Sequence, residues 1–547
     1  MERGGAYMLK NLKLTTSIIM LSSLLVLVAG CGSKKANDSK KEISVALNSE
    51  LSSVDVSLAM DNTSSDVMEQ VGEGLYDFTA KGGVKPALST NKPKATDHGK
   101  KYVFNLRKDA KWSNGKPVTA KDFVYSWRRT VDPKTKSPQS YYFDGVKNYQ
   151  AIANGKKAPS SLGIKANGKY KLEVTLDRAM PYFPSILAVS ASFPLYQPYV
   201  EKQGKKYGTD AEHTLYNGAF TLKGWNGSNG EWSYVKNKDY WNAKHVQLDK
   251  VNVKVYKTEQ TMVQQYQAKK IQFTQISGST VKNLKKDQDL TVRKIPGNQY
   301  LVFNVKENKL FANQKVRQAL AMAVDSNKLT KHVLQDQSLP ATGYVPYGFN
   351  NSKTGKDFAK QAGQLVQNNK TKAQKLWAEG LKELGMTSAE FSILSSNTET
   401  AKQVDEYLQS QFETTFKNLK VRVAAVPFNS RLSKQNSGDF DTVLSGWTPV
   451  YADPTDFLNL LMTNNNNNNG KWSNSKYDQL IKDANDKYAL DEQKRWDNME
   501  AANKIAVEQA PIAPLFYISQ VYLKDPNLKG MMLGPLGQPY YKDASYK

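Results

Sequence analysis

Two spacings of apolar residues alternate along most of this chain. Strand-like patterns predict strands over 43–46, 101–106, 169–176, 220–222, 232–235, 251–256, 300–305, 391–394, 421–426 and 440–444. Apolar residues spaced by three and four predict one helix that begins near residue 65 and further helices over 122–129, 316–323, 373–384 and 401–416. This mixture of strands and helices predicts an α/β protein, but periodicity by itself fixes no topology.

The stretch 445–459 contains an irregular segment between a predicted strand and a predicted helix. The strand over 440–444 runs out at Gly446, and Thr455 is the expected N-cap of the helix. Trp447 and two prolines lie between them. Rigid loops that carry aromatic residues at the end of a strand are typical of ligand sites. A packed surface corner has the same pattern, and this stretch alone favours that interpretation.

The length and charge of the chain limit the function classes. A chain of 547 residues is too long for one hydrophobic core, so two or three domains are expected. The apolar fraction of 39% predicts a globular protein. The formal net charge of +25 is spread along the chain, without zinc-ligand spacing or a long arginine-rich tract, which disfavours nucleic-acid binding. Surface basicity fits solubility, or residence near anionic cell-surface polymers.

Few residues are suited to metal binding or redox chemistry. Cys31 is the sole cysteine, which excludes an intramolecular disulfide and a cysteine-only metal cluster. The four histidines lie far apart and form no metal-ligand motif, so we expect neither a metal site nor a cofactor. The six asparagines over 464–469 predict an exposed loop without a chemical role.

The N-terminus has the pattern of a secretory signal. Lys10 and Lys13 precede an apolar run over 18–29, which ends in small residues directly before Cys31. This run is shorter than the roughly 20 apolar residues of a membrane span. The ending matches the bacterial lipobox, so we expect a lipoprotein signal over 1–30, lipidation of Cys31 and a polar tether over 31–42. Met8 would begin a signal of more usual length.

Several motifs follow one another in an order that is specific to one protein family. They are Glu73-Gly74-Leu75-Tyr76, Tyr102-x-Phe104-x-Leu106-Arg107, Trp112-Ser113-x-Gly115-x-Pro117-Val118-Thr119-Ala120, Asn217-Gly218-Ala219-Phe220, Asn237-x-x-Tyr240-Trp241, Val316-Arg317-x-Ala319-Leu320, the stretch 445–459 and Ala510-Pro511-Ile512-Ala513-Pro514. Together they resemble the extracellular oligopeptide-binding proteins of ABC importers, the family 5 solute-binding proteins. The resemblance covers about 43–523. We expect the block that begins at Trp112 to be structural, because its glycine, proline and cap residues set a turn and a helix start.

The resemblance implies a two-lobed α/β fold of the periplasmic-binding-protein type (type II, cluster C), with an extra third domain on the first lobe. Ligand would be buried between the lobes. The implied order places domain I at 43–76, 185–300 and 516–547, domain II at 77–184 and domain III at 301–515.

The resemblance also implies two strips of peptide-binding residues. Peptide recognition of this kind is directed at the main chain, and side chains fall into wet, permissive pockets. The first strip contributes Met60, Asn62 and Ser64. The second contributes Ser445, Gly446 and Trp447, and for Trp447 the family position outweighs simple core packing.

At several positions the chain departs from the family pattern. Many members place an aspartate three residues after the tryptophan, where it pairs with the ligand's α-amino group, but this chain has Val450. The alternatives are that Asp61 or Asp453 supplies the carboxylate, or that the ligand's amino end is blocked or left outside. A family tyrosine of domain II falls at Gln139, with Tyr141 and Tyr142 close enough to replace it. Lys402 aligns with a position that meets the ligand's carboxyl end, although a solvated helix lysine is the simpler interpretation.

The favoured function is a monomeric, lipid-anchored receptor on the extracellular face of the cell membrane. It would bind oligopeptides and deliver them to the permease subunits of an ABC importer, without enzymatic activity, cofactor or nucleic acid. A peptide pheromone or an oligosaccharide is the alternative cargo, because this fold serves several ligand classes. A surface adhesin is compatible with the charge. An extracellular hydrolase is disfavoured, because the chain lacks clustered histidines and a nucleophile-elbow motif.

Overall fold

The computed structural model describes residues 41–59, 61–80, 82–284, 287–351, 354–449, 451–463, 465–535 and 537–547, excluding the side chains of residues 279 and 429. The predicted signal, Cys31, Met60 and Val450 lie outside the described residues. None of the helices in these ranges combines the length and hydropathy that a membrane span requires.

The strands are numbered in chain order. They are β1 (Glu42–Leu47), β2 (Tyr76–Phe78), β3 (Val84–Pro86), β4 (Lys101–Asn105), β5 (Ile164–Ala166), β6 (Lys171–Thr175), β7 (Phe220–Lys223), β8 (Glu231–Lys236), β9 (Lys250–Val255), β10 (Phe273–Ile276), β11 (Leu290–Phe303), β12 (Leu339–Pro340), β13 (Ala389–Ser396), β14 (Leu419–Val426), β15 (Thr442–Trp447), β16 (Ile512–Lys524), β17 (Leu528–Lys529), β18 (Met532–Leu533), β19 (Pro539–Tyr540) and β20 (Ser545–Tyr546).

The α-helices are numbered in the same way. They are α1 (Asn62–Val71), α2 (Ala120–Val131), α3 (Tyr149–Ala153), α4 (Phe183–Ile186), α5 (Gln197–Gln203), α6 (Glu259–Gln267), α7 (Gly278–Leu284), α8 (Lys309–Ala312), α9 (Gln314–Ala323), α10 (Ser326–Lys328), α11 (Phe358–Ala362), α12 (Lys370–Glu383), α13 (Glu399–Thr415), α14 (Phe428–Ser437), α15 (Thr455–Leu458), α16 (Ser475–Lys482) and α17 (Glu492–Gln509). Short 3₁₀ and π segments connect some of them, among them Asn459–Leu461 and Leu329–Leu334.

One mixed sheet runs through most of the fold. Its strand order is β14-β13-β15-β11-β16-β10-β1-β9-β8-β7, and β12 pairs with β16 beside this path. The two longest strands, β11 and β16, are antiparallel neighbours at its centre. Each of these strands crosses a predicted boundary between domains I and III. The two regions are therefore joined by both strands and by the backbone hydrogen bonds between them.

The hydrophobic core is divided into clusters that follow the predicted domains. One cluster of buried residues extends from Leu75 to Val189 and surrounds the small sheet β4-β6-β5. Others lie on the β1, β7, β8 and β9 side of the large sheet, and on the side of α9, α12 and α13. The exact domain boundaries stay a prediction.

The motif that begins at Trp112 has a structural setting. Thr119 caps α2 in a capping box with Asp122, whose carboxylate accepts from the Thr119 backbone N–H at 2.7 Å. The buried indole of Trp112 also donates to Asp122, at 3.4 Å. This motif therefore fixes the start of the helix, as its cap and turn residues predict.

Most predicted elements are present, but several of their ends differ, and three of these differences have a clear physical cause. Helix α1 begins at Asn62 because Asp61, rather than Ser65, accepts the N-cap hydrogen bond from the Ser64 backbone. Strand β15 continues past Gly446 to Trp447, because β11 lies beside it and supplies pairing partners over that whole length. Helix α15 starts at Thr455, which is therefore not its N-cap.

A buried charge network attaches the C-terminus of the chain to the start of β2. The ammonium of Lys542 contacts the carboxylate of Asp77 and lies 3.9 Å from that of Glu73. Glu73 also accepts from the Tyr240 hydroxyl at 2.5 Å and the Trp241 indole at 2.6 Å. Burial raises the pKa of Glu73, and the charge of Asp77 adds to this, whereas Lys542 opposes it. The network therefore joins the three segments of predicted domain I to one another. Through Asp77 it also reaches the first residue of predicted domain II.

Candidate functional site

A cavity of about 760 Å³ opens where the predicted domains I and III meet. The ends of β10 and β15, the middle parts of β11 and β16 and the helices α13 and α14 surround it. Its size falls within the range of about 300–1,000 Å³ that is usual for ligand pockets. The lining includes Gln275, Ser277, Gln299, Tyr300, Asp336, Ser396, Thr398, Ala401, Val404, Phe428, Arg431, Gln435, Ser445, Gly446, Trp447, Thr448, Asn467, Asn469, Ser519 and Gln520.

The second predicted strip lies on one edge of this cavity. Ser445, Gly446 and Trp447 end β15, where they pair with Tyr300, Gln299 and Asn298 of β11 in antiparallel register. The structure therefore places all three of these residues at a cavity, on a regular strand instead of a loop. Their contact with a ligand stays a prediction.

Gly446 is constrained by how closely β11 approaches it. A Cβ atom added at Gly446 would lie 2.6 Å from the Asn298 carbonyl oxygen and closer still to the Gln299 side chain. Real Cβ atoms essentially never approach a backbone atom so closely. A side chain here would push β15 away from β11, so this edge of the cavity requires glycine.

Hydrogen bonds to its neighbours hold Trp447. Its indole N–H donates to Asp456 Oδ2 at 2.9 Å, and its backbone N–H donates to the buried side chain of Asn298 at 3.3 Å. The amide of Asn298 in turn donates to the Tyr344 carbonyl at 2.6 Å. Trp447 is partly buried and packs against the core beneath the cavity. It thus has a packing role as well as a position in the lining.

A polar network connects the strip to α14. The Gln435 side chain donates to Ser445 Oγ at 3.3 Å and to Asn469 Oδ1 at 2.7 Å, and its oxygen accepts from Arg431. Burial lowers the pKa of Arg431, whereas it raises the pKa of the neighbouring Tyr300 to about 12. Sequence reasoning missed Arg431, Gln435 and Tyr300, because each lies in an ordinary helical or strand pattern without a motif.

Residues 465–469 of the asparagine run form a loop, as expected, but only Asn466 and Asn467 are exposed. Asn468 is buried, and its amide donates to the Trp472 carbonyl at 2.7 Å. Asn467 and Asn469 line the cavity. An amide side chain both donates and accepts, so these residues satisfy backbone and side-chain groups that hydropathy alone does not reveal.

The described residues of the first predicted strip do not line the cavity. Ser64 is buried, and its hydroxyl bonds to Asp61 at 2.8 Å and Ser52 at 3.1 Å. Asn62 is exposed at the start of α1. The Gln139 side chain donates to the carbonyl of Ala59, which brings this strip together with the predicted domain II residue.

Tyr141 lies near this first strip but is more accessible. It is 48% exposed, and its ring stacks on that of Tyr142 with centroids 4.6 Å apart. Neither Tyr141 nor Gln139 is among the residues that line the cavity.

The candidate counter-charges have other partners. Asp453 is buried and forms a two-pronged ion pair with Arg495, with oxygen–nitrogen distances of 2.7 and 2.8 Å. Asp61 is the N-cap of α1 and accepts hydrogen bonds from Ser64 and Ser52. Asp453 is therefore poorly placed to pair with a ligand ammonium, because Arg495 already neutralises it.

Lys402 is not placed at the cavity. Its side chain is 75% exposed, and its ammonium lies 3.9 Å from Glu406 one turn along α13. The neighbouring Ala401 lines the cavity instead. The geometry gives no support to a ligand role for Lys402, which stays a prediction.

The stretch after the strip contacts the end of predicted domain II and the start of the second segment of predicted domain I. The Tyr451 ring stacks on Tyr182 with centroids 4.0 Å apart, and the Ala452 N–H donates to Ser185 Oγ at 3.4 Å.

Among the residues in the described ranges, no group of three or more acidic, cysteine or histidine side chains is arranged to hold a metal ion.

Comparison with known proteins assigns the chain to a family. The family model for bacterial extracellular solute-binding proteins, family 5 (middle), matches residues 83–469. The chain belongs to this family. The predicted family and the two-lobed α/β fold of the solute-binding proteins are confirmed.

Relatives of this family 5 solute-binding protein cover nearly its whole length. The dipeptide-binding protein of Lactococcus lactis is 35% identical over 545 residues, which span 97% of this chain and 98% of the relative. The solved structure of Listeria monocytogenes OppA bound to peptide is 36% identical, covers 93% of this chain and 99% of its own, and has a TM-score of 0.78. The pheromone receptor PrgZ is 33% identical, with coverage of 93% and 100% and a TM-score of 0.79.

We expect Gly446→Ala to lower the free energy of unfolding by about 1–3 kcal/mol, because the added methyl group overpacks the β11–β15 contact. Urea denaturation followed by circular dichroism measures this change. Gly230→Ala is the matched control, since a Cβ there meets nothing closer than 3.4 Å and its backbone is not left-handed. Equal stability of the two variants would contradict the close approach of β11 to Gly446.

Proposed function

We propose that this protein binds oligopeptides in the cavity beside Ser445–Trp447 and delivers them to the permease of an ABC importer. The observation that carries this proposal is the end of β15 at a cavity of about 760 Å³, where domain I and domain III strands converge. Exposed main-chain groups at the end of a strand suit the recognition of a peptide backbone, which is common to all peptide sequences.

The relatives support a peptide as the cargo. The Lactococcus lactis relative is a dipeptide-binding protein, and the Listeria monocytogenes OppA structure is bound to peptide. The lining of the cavity here combines hydroxyl, amide and apolar side chains, which can accept varied peptide side chains directly or through water. The proposed activity is binding and transfer, without a chemical reaction.

The proposed location follows from the N-terminal sequence. The basic residues, the apolar run and Cys31 support export followed by attachment of lipid to Cys31. A lipid anchor would hold the receptor on the extracellular face of the cell membrane, close to its permease.

A peptide pheromone is the second candidate cargo. The pheromone receptor PrgZ matches this chain with a TM-score of 0.79 over 93% of its length. A nutrient receptor must accept many sequences, whereas a pheromone receptor selects one. The two functions therefore differ in the diversity of bound peptide.

Native mass spectrometry of the protein purified from its own host tests the proposal. We expect mass increments that correspond to bound peptides, and fragmentation of the released ligands should give many sequences. A single recurrent sequence would favour the pheromone function. Bound oligosaccharide, or no binding when peptides of every length from two to ten residues are supplied, would contradict the proposal.

We expect the receptor to bind a free and an N-acetylated form of one peptide with affinities within about threefold. Val450 has no charge to offer an α-amino group, and Asp453 is already paired with Arg495. An ion pair from the ligand ammonium to a buried carboxylate would instead favour the free amine by about tenfold or more.

Isothermal titration calorimetry measures both affinities, with Asp61→Asn as the comparison variant. If Asp61 takes the role of the family aspartate, the wild-type protein would prefer the free amine and Asp61→Asn would lose that preference. A large preference for the free amine that persists in both Asp61→Asn and Asp453→Asn would contradict the expectation.

A further inference from the structure

Arg431 is a buried cation in the wall of the cavity. It lies on α14, is 8% exposed and contributes to the cavity lining. Its Nη1 donates to the Gln435 side chain, while its buried Nε has no hydrogen-bond partner among the residues that the structure describes. The guanidinium carbon lies 5.1 Å from the centre of the Phe428 ring.

The other two buried arginines of the described chain have more partners than Arg431, although the Nε of Arg495 also has none among the described residues. Arg495 pairs with Asp453 through two hydrogen bonds. Arg317 donates to four backbone carbonyl groups, at distances of 2.6–3.1 Å. The guanidinium of Arg431 donates to a single side-chain acceptor, the amide oxygen of Gln435, and forms no ion pair with any described residue. A buried ion without a counter-charge costs several kcal/mol, so this arrangement needs a compensating partner.

The surroundings of Arg431 leave its free side to the cavity. Gln435 holds the guanidinium from one side and is itself fixed by Ser445 and Asn469. The other charged residue of the lining, Asp336, accepts from the Ser338 N–H at 3.0 Å and forms no ion pair with Arg431 in the described structure. A guanidinium presents its donors as a planar fork that fits a carboxylate.

We propose that Arg431 receives a carboxylate of the bound ligand and makes the receptor selective for ligands that carry one in this cavity. The inference rests on the proposed function, peptide binding. A peptide offers a carboxylate at its C-terminus or on an acidic side chain, and either would supply the missing counter-charge. Through Gln435 and Ser445, the same network links this contact to the strip that faces the peptide backbone.

Isothermal titration calorimetry tests the proposal with synthetic alanine–leucine peptides, from a dipeptide to a decapeptide, as free acids and as C-terminal amides. We expect the wild-type protein to bind the acid of its preferred length about tenfold to a hundredfold more tightly than the amide, as a charge-assisted hydrogen bond gives. In Arg431→Gln the acid should bind as weakly as the amide, and Arg431→Lys should restore part of the preference.

Arg422→Gln is the matched control, because Arg422 is an exposed arginine of the same lobe and contacts Glu390 at the surface. It should keep the wild-type preference. Thermal unfolding without ligand should show that Arg431→Gln is folded, and its binding of the amide provides a second check. If Lys402→Gln, rather than Arg431→Gln, removes the preference, the proposal is wrong.

The peptide arms separate the two sources of the carboxylate. If Arg431 binds a side-chain carboxylate, adding a glutamate to the C-terminal amide peptide should restore the binding that depends on Arg431. If Arg431 binds the C-terminal carboxylate, the added glutamate should not restore it. Equal binding of acids and amides by the wild-type protein, with or without glutamate, would overturn the role of Arg431 while leaving peptide binding intact. Failure of every peptide to bind would instead overturn the proposed function itself.

Discussion

The antiparallel pairing of β11 with β15 is the constraint on which the candidate site depends. It places Tyr300, Gln299 and Asn298 directly opposite Ser445, Gly446 and Trp447. The close approach at Gly446 permits no side chain, and Asn298 binds the backbone of Trp447 from a fully enclosed position. The same strand β11 pairs with β16, which continues toward predicted domain I. The edge of the cavity is therefore fixed to the strands that connect the two regions.

Several buried charges of this protein form ion pairs that serve the fold. Asp453 with Arg495, and Lys542 with Asp77 and Glu73, each join segments that are distant in sequence. Removing a buried charge from water is costly, and an opposite charge offsets that cost. Among the buried arginines of the described chain, Arg317 and Arg431 form no ion pair, but Arg317 donates to four carbonyl groups, whereas Arg431 has one side-chain acceptor and lines the cavity. This contrast gives the cavity its proposed preference for anionic groups.

Sequence reasoning predicted the family and many of the strands and helices, because both depend on local patterns, but it missed the strands β10 and β16. Strands β1, β8, β9, β13 and β14 and the helices α9, α12 and α13 lie within a few residues of their predicted positions. The strip Ser445–Trp447 was also predicted to face a cleft, and it lies at a cavity. The end of β15 was missed because the pairing partner that extends it is about 150 residues away in the chain, at Asn298.

The charged part of the site could not be predicted from the sequence. Asp453 was a candidate counter-charge, and only the fold reveals that Arg495 already neutralises it. Lys402 was a candidate cation from family position, yet it faces solvent, while Arg431 occupies the cavity without a sequence signal. The asparagine run was predicted to have no chemical role, but the side chains of Asn468 and Asn469 form hydrogen bonds to residues outside the run. Partner choice is a property of the tertiary structure.

A crystal structure of the protein with a bound free-acid peptide tests the central claim most directly. The account predicts that the peptide main chain runs along Ser445–Trp447 and that one of its carboxylates lies within hydrogen-bond distance of Arg431. A peptide bound elsewhere, with the strip and Arg431 untouched, would contradict it.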